Sequence, residues 1–450
     1  MKQRKRLSLI SAGICSLLAL LPISASGSMP SNELVTDTPR LQESIETLLV
    51  NVARPFPQHT DYVSGSIKPN HVSQTELDND VRRIYDEWKE RYIKKHPKAN
   101  NQYYVFYNLE KTVEPDNAVS SSEGHGYGML ATVLMAGHDA EAKTYFDGLY
   151  RYYKAHPSVI NSALMAWQQV KDSKGNIIDN PDGGNDAATD GDMDIAYALL
   201  LADKQWGSSG EIDYLSQAKN VINAIMKNEV NYSEGILKLG DWADDSDSKY
   251  GKATRTSDFM LSHLKAFEKA TGNSKWSKVV DKTYSIQNTL YTKNSSKAGL
   301  LPDFAVKKSS SYVPAPPHLL EDKNDGNYYY NACRVPWRLP VDYLMSGDSR
   351  AVPQLETLNA WIQKTTSKNP KKVMSGYSLD GKVLPKADFN SMAFTAPFAV
   401  SAMIDSQNQE WLNKLWAHMA SSPTKSNEYF DNSIRLLTMI TASGNWWLPE

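Results

Sequence analysis

From about residue 71 onward, apolar residues recur every three to four positions, the spacing of one face of a helix. Twelve such segments stand out, near 74–95, 122–136, 139–155, 190–204, 211–228, 255–271, 274–292, 331–346, 350–367, 388–404, 407–420 and 427–441. They alternate in character. Those near 74, 139, 211, 274, 350 and 407 are amphipathic and carry Lys, Asp and Glu, whereas those near 122, 190, 255, 331, 388 and 427 are apolar or small nearly all round. A helix that is apolar on every side belongs inside, and an amphipathic one belongs around it. Six inner helices alternating with six outer ones predict an all-α, (α/α)6 toroid. Pro336 and Pro340 predict that the inner helix near 331 is kinked or short.

The connections 96–121, 156–189, 229–254 and 293–330 are too long for plain turns, and each precedes an inner helix. Long loops in a compact domain are usually functional. In a toroid these four gather at one end and build one cleft. Ahead of the helices, residues 28–70 contain Pro and Ser with weak periodicity and read as an N-terminal arm packing on the domain at 71–450. Residues 1–27 read as an export signal that is removed. Lys2, Arg4, Lys5 and Arg6 precede an apolar run, and Ser24, Ala25, Ser26 and Gly27 follow it, the order of a secretory leader. The run is short and broken by Pro22, unlike a membrane span. Ile14 before Cys15 leaves no small residue for a lipid anchor. The expected destination is secreted, extracellular.

Loss of the leader removes four positive charges from a chain already at −2. A mildly acidic chain without a basic stripe predicts no nucleic-acid partner and no membrane partner. Cys333 is the one thiol left, and a domain this large needs no disulfide to bury a core. A monomer is expected. The 11 Trp and 24 Tyr are core residues in the ordinary case, yet exposed ones can stack on sugar rings.

Two acidic motifs fall where long loops enter inner helices. The first is Ala188-Thr189-Asp190-Gly191-Asp192-Met193-Asp194, running on to Trp206. Asp190 sits at a helix start, where N–H groups favour a carboxylate, and it shares a face with Asp194. An ordinary acidic cap has the same look. The second is Ser121-Ser122-Glu123-Gly124-His125-Gly126-Tyr127-Gly128, a poor helix sequence unless something approaches its backbone closely. His125 and Cys333 read as satisfied core groups. Calcium loops starting at Asp190, Asp182 or Asp244 fail, because position twelve is Leu201, Met193 or Arg255 where Glu is needed. With no zinc spacing, nucleophile elbow or phosphate loop, the expectation is carboxylate chemistry without metal or cofactor.

The segment from Ala188 to Trp206 resembles the signature of family 8 of the glycoside hydrolases. Ser122 to Met129 resembles that family's acid motif, and Phe304 with Tyr330-Asn331-Ala332-Cys333-Arg334-Val335-Pro336-Trp337-Arg338 resembles its third block. The likeness covers essentially the whole mature domain and implies the toroid already read from periodicity. It also implies inversion at the anomeric carbon, with one carboxylic acid protonating the leaving oxygen while a separate base activates water. By that resemblance Glu123 is the acid, and Asp190 is the carboxylate that contacts the distorted sugar. The cellulase and xylanase branch takes its base from an Asp where this chain has Asn331. The chitosanase and lichenase branch has the same replacement and takes its base from a Glu in a long loop. Between Lys293 and Asn331 that Glu is Glu321, with Asp322 and Asp325 as the other acids within reach.

Tyr127, Trp167, Asp182, Trp242, Asp258, Tyr328, Asn331 and Arg334 are the expected substrate contacts. The carboxylates Asp172, Asp179, Asp182, Asp186, Asp190, Asp192 and Asp194, with Asp241, Asp244, Asp245 and Asp247 further on, favour a cationic polymer. The expected activity is therefore that of a chitosanase cleaving β-1,4-glucosaminide bonds. The alternatives are a β-1,3-1,4-glucanase or a β-1,4-endoglucanase and, more distantly, a non-catalytic polysaccharide-binding toroid. The last would keep the aromatics but has no need of Glu123 and Asp190 together.

Overall fold

The structure, a computed structural model, describes residues 52–109, 111, 115–425 and 428–450. The export signal and the first part of the expected arm lie outside the described residues. The outer helices are α1 (Gln74–Tyr92), α3 (Ala142–Ala155), α5 (Tyr214–Asn228), α7 (Lys275–Asn294), α9 (Val352–Thr366) and α12 (Gln409–Ser421). The inner ones are α2 (Ser122–Leu134), α4 (Thr189–Trp206), α6 (Leu261–Thr271), α8 (Val335–Ser346), a broken pair α10 (Met392–Thr395) and α11 (Pro397–Ala402), and α13 (Tyr429–Ala442). Inner helices touch in cyclic order, α2 to α4, α4 to α6, α6 to α8, α8 to α11, α11 to α13 and α13 back to α2. That closure is the (α/α)6 toroid.

Why each helix sits where it does follows from its faces. In α2 every residue but Glu123 is buried, and α13 is buried almost throughout. In α1 the buried side chains recur as Leu77, Val81, Ile84, Tyr85, Trp88 and Tyr92, a single stripe. A capping box between Ser73 and Glu76 starts α1, satisfying N–H groups that a helix otherwise leaves bare. Trp88, Trp276, Trp337, Trp411, Trp416, Trp446 and Trp447 are all buried, so the tryptophan richness of the chain belongs mainly to its core.

Three inner helices start differently from the periodic pattern. The segment near 255 opens as a strand (Ala253–Arg255) and a 3-10 turn (Thr256–Asp258) before α6 begins at Leu261. The one near 331 opens as a 3-10 turn (Ala332–Arg334), and α8 accommodates Pro340 over its 12 residues. The one near 388 breaks ahead of Pro397, whose ring lacks the N–H that would bind the preceding turn.

The long connections hold antiparallel strands that helical periodicity did not reveal. β1 (Ile93–Lys95) pairs with β2 (Tyr103–Val105), and β6 (Val230–Asn231) pairs with β7 (Ile236–Leu237). β3 (Ala118–Ser121), β4 (Gln168–Lys171) and β5 (Ile177–Asp179) form one three-stranded sheet; β8 (Ala253–Arg255), β9 (Phe304–Lys308) and β10 (Ser311–Pro314) form another. β3 runs directly into α2, and β8 ends on Arg255. At the other end, N–H groups of Phe56, Thr60, Val63 and Ile67 donate to the carbonyls of Ala136, Gly444, Leu344 and Met403. These acceptors lie at or just past the C-terminal ends of α2, α13, α8 and α11.

Candidate active site

Helix starts of the inner ring floor a cleft of about 710 Å³. Glu123 is the second residue of α2, whose N-cap Ser121 accepts the Gly124 N–H at 3.2 Å. The glycines beside it are required by contact. A Cβ on Gly124 would strike the Tyr429 hydroxyl, and one on Gly126 would lie 2.7 Å from Asp194 Cβ. A Cβ on Gly191 would meet the Ser122 backbone at 2.6 Å, so α2 and α4 approach through bare backbone and bring Glu123 beside Asp190.

Arg334 ties the floor together. Its Nη1 donates to Glu123 Oε2 at 2.6 Å, to Asp190 Oδ2 at 2.9 Å and to the Tyr127 hydroxyl at 3.1 Å. Its Nη2 donates to Ser257 Oγ and to Asn331 Oδ1, each at 3.0 Å. Asn331 Nδ2 in turn donates to Glu321 Oε2 at 2.8 Å. Arg255 lies 3.3 Å from Asp190 Oδ1 and 3.7 Å from Glu321 Oε1. Glu123 and Glu321 are thus joined through two intervening side chains across one floor.

The carboxyls are tuned apart. Burial pushes Glu123 up to about 7 although Arg334 opposes the shift. Burial would raise Asp190 as well, but Arg255 and Arg334 hold it below the usual carboxylate range. A protonated acid and a fixed anion side by side form the pattern of an acid–base site. Glu321 stands on a loop with 46 % of its side chain exposed, where water reaches it.

Glu123, Asp190, Glu321, Trp167, Trp242 and Asn331 all line the cleft. Tyr127 and Arg334 are buried just behind it, where Arg334 bonds Tyr127, Glu123 and Asp190. Three expected contacts do not reach it. Asp182 lies in an exposed turn, its backbone N–H donating to Asn180 Oδ1. Asp258 is fully buried beneath Arg255, where burial pushes it up to about 7. Tyr328 is buried against Tyr377 and Phe394. His125 packs on Tyr152 and reaches the Leu149 carbonyl, and Cys333 is buried.

Arg255, Tyr107, Leu320, Tyr429 and Phe430 line the cleft without having been singled out. Arg255 carried the same signal as Glu123, a long loop ending at an inner helix. Phe430 and Tyr429 open the last inner helix, whose approach shows no acidic motif. Among the described residues no cluster of His, Cys, Asp and Glu has the geometry to hold a metal ion.

The acid-rich loops are largely engaged internally. Asp172 caps its own turn, Asp179 pairs with His156, and Asp194 is bound by Arg338 and His263. Asp192 and Asp241 accept backbone N–H groups of Met165 and Ala187. Asp244 and Asp247 cap turns, and Asp245 pairs with Lys238. Of these acids only Asp186 and Asp190 line the cleft, beside Glu123, Glu321, Glu428 and Asp431, so most of the acid in these two loops does not reach it.

The model of the family described as glycosyl hydrolases family 8 matches residues 71–444. A beta-glucanase of Niallia circulans is 56 % identical over 395 residues, 88 % of this chain and 91 % of that protein. An endoglucanase of Bacillus sp. strain KSM-330 is 44 % identical over 401 residues, 88 % of this chain and 82 % of its own. The solved apo structure of a beta-1,3-1,4-glucanase from Paenibacillus sp. X4 superimposes with a TM-score of 0.82 at 55 % identity, covering 88 % of this chain and 99 % of that one. With its whole ring matched and its acids gathered on one floor, the chain belongs to family 8 of the glycosyl hydrolases.

Proposed function

We propose that this glycoside hydrolase is an exported, endo-acting, inverting β-glucanase that cleaves β-1,4 bonds within mixed-linkage β-1,3-1,4-glucan. The observation that carries the reading is the hydrogen-bonded file Glu123–Arg334–Asn331–Glu321 with Asp190 beside it. Glu123, kept protonated by burial, gives its proton to the glycosidic oxygen as the C1–O bond breaks. Glu321 takes a proton from the water that adds to C1 from the other face. Asp190, held as an anion by two arginines, faces the positive charge that builds on the ring. Asn331 carries an amide that cannot take up the proton, and it serves instead to hold Glu321. Trp167 and Trp242 give apolar faces for sugar rings at the cleft wall.

The names of the two most similar relatives described above support a glucan substrate, and so does the internal use of most loop carboxylates. Chitosan is the second reading, favoured by Asp186 and Glu428 on the cleft lining. Reducing-end release from barley β-glucan, carboxymethylcellulose and chitosan, compared side by side, separates the two. The expected order puts β-glucan first, and a clear preference for chitosan would overturn the substrate assignment. Polarimetry of fresh product tests inversion, with α-configured ends expected first.

A further inference from the structure

Glu321 is the least anchored member of the site. Its carboxylate meets Asn331 and Arg255, and no helix carries it. A general base must nevertheless be held to within a fraction of an ångström, because a misplacement of about 1 Å costs ~10² in rate. The backbone beneath Glu321 supplies that fixity through one buried side chain. Asp325 Oδ2 accepts the N–H groups of Leu320 at 2.8 Å and Glu321 at 3.1 Å, and Oδ1 accepts that of Asp322 at 2.8 Å. Asp325 is 1 % exposed, and its own carbonyl accepts the Phe304 N–H of β9 at 2.9 Å. Leu319, at the start of this turn, packs in a small buried cluster with Phe304 and Ala315.

We propose that Asp325 is the positioning residue of the general base, gathering three successive N–H groups so that Glu321 stands against Asn331 and the reacting water. This rests on Glu321 being the base. Asp325 cannot itself be that base, since its oxygens face the backbone of its own loop and lie outside the cleft lining. A carboxylate suits the position because it has acceptors only. An amide of the same size would turn N–H groups toward N–H groups, leaving buried donors unpaired.

The test is a double-mutant cycle on β-glucan with Asp325→Asn, Glu321→Gln and the double variant, together with the melting temperature of each. Asp325→Asn should lower kcat by ~10² with KM within about twofold. In the Glu321→Gln background it should do nothing further, because the group it aims is gone; a merely structural role would multiply the two losses. Wild-type kcat in Asp325→Asn, or losses that multiply, would overturn the proposal while leaving Glu321 as the base. Wild-type activity in Glu321→Gln would overturn the base assignment itself, and this proposal with it. Should Asp325→Asn fold poorly, Asp325→Ser keeps one acceptor oxygen and runs the same cycle.

Discussion

The two carboxyls proposed to share the reaction stand on different kinds of support. Glu123 is built into the first turn of an inner helix, wedged by Gly124, Gly126 and Gly191 into close backbone packing. Glu321 hangs on a loop whose only regular structure is the neighbouring β8–β9–β10 sheet, and almost half its side chain is in solvent. The acid needs a dry, rigid seat, because burial is what lets it hold its proton as pH approaches 7. The base needs water beside it and tolerates no such burial. The inner ring therefore fixes what the chemistry must not lose, and a loop carries what substrate and solvent must reach.

Substituting each carboxyl in turn sets the largest contrast. Glu123→Gln and Glu321→Gln should each cost ~10³ or more in kcat on polymer, in line with loss of a general acid or base, while both variants still bind β-glucan. They should part company on an aryl glucoside with a good leaving group, which needs no protonation. Activity should return substantially in Glu123→Gln and not in Glu321→Gln. Equal recovery, or none in either, would erase the division of roles.

The pH profile sharpens the same contrast. Glu123 works protonated, and burial, opposed by Arg334, raises it to about 7. Activity should therefore hold as pH approaches 7 from below and then fall about tenfold per unit above it, as the acid loses its proton. A profile still flat at pH 9 would mean that Glu123 is not the proton donor. The same ring should show its rigidity in stability. Gly126→Ala forces a Cβ to within 2.7 Å of Asp194 Cβ and 3.2 Å of the Gly191 carbonyl. The expected cost is about 1–3 kcal/mol, read from denaturant midpoints.

The ring was legible in the sequence because its signal is local and repeated. Most inner helices are apolar or small nearly all round, α6 with its Lys265, Glu268 and Lys269 being the exception, and the outer ones carry a stripe. Glu123 and Asp190 could be found because motif and helix start coincide. The strands were not legible, being two to five residues long, and two of their pairings, β3 with β4 and β8 with β9, join segments far apart along the chain. Arg255 sits where a long loop enters an inner helix, as Glu123 does, but no acidic motif surrounds it; its meaning comes from Asp190 and Glu321, which the fold brings to it. The acidic loops read differently in the fold for a related reason. Composition counts carboxylates but does not say that Asp194 faces Arg338 and His263, or that Asp192 faces the Met165 N–H. Tyr328, beside two partly exposed tyrosines, looked like them in sequence and turned inward in the fold.

The smallest expected effects test whether cleft contact or loop charge matters for substrate. Trp167 lines the cleft, its indole N–H fixed on the Gly183 carbonyl at 2.7 Å, so the ring is held ready to stack. Trp167→Ala should raise KM for β-glucan about tenfold, equivalent to ~1.4 kcal/mol, with kcat little changed. Asp182, in the same loop, is exposed and outside the lining. Asp182→Ala should leave KM for both β-glucan and chitosan within about twofold, since a surface change away from partners is worth at most ~0.5 kcal/mol. A specific loss on chitosan in Asp182→Ala would show that exposed loop acids reach the polymer after all. It would also restore the weight that acid-rich composition lent to a cationic substrate.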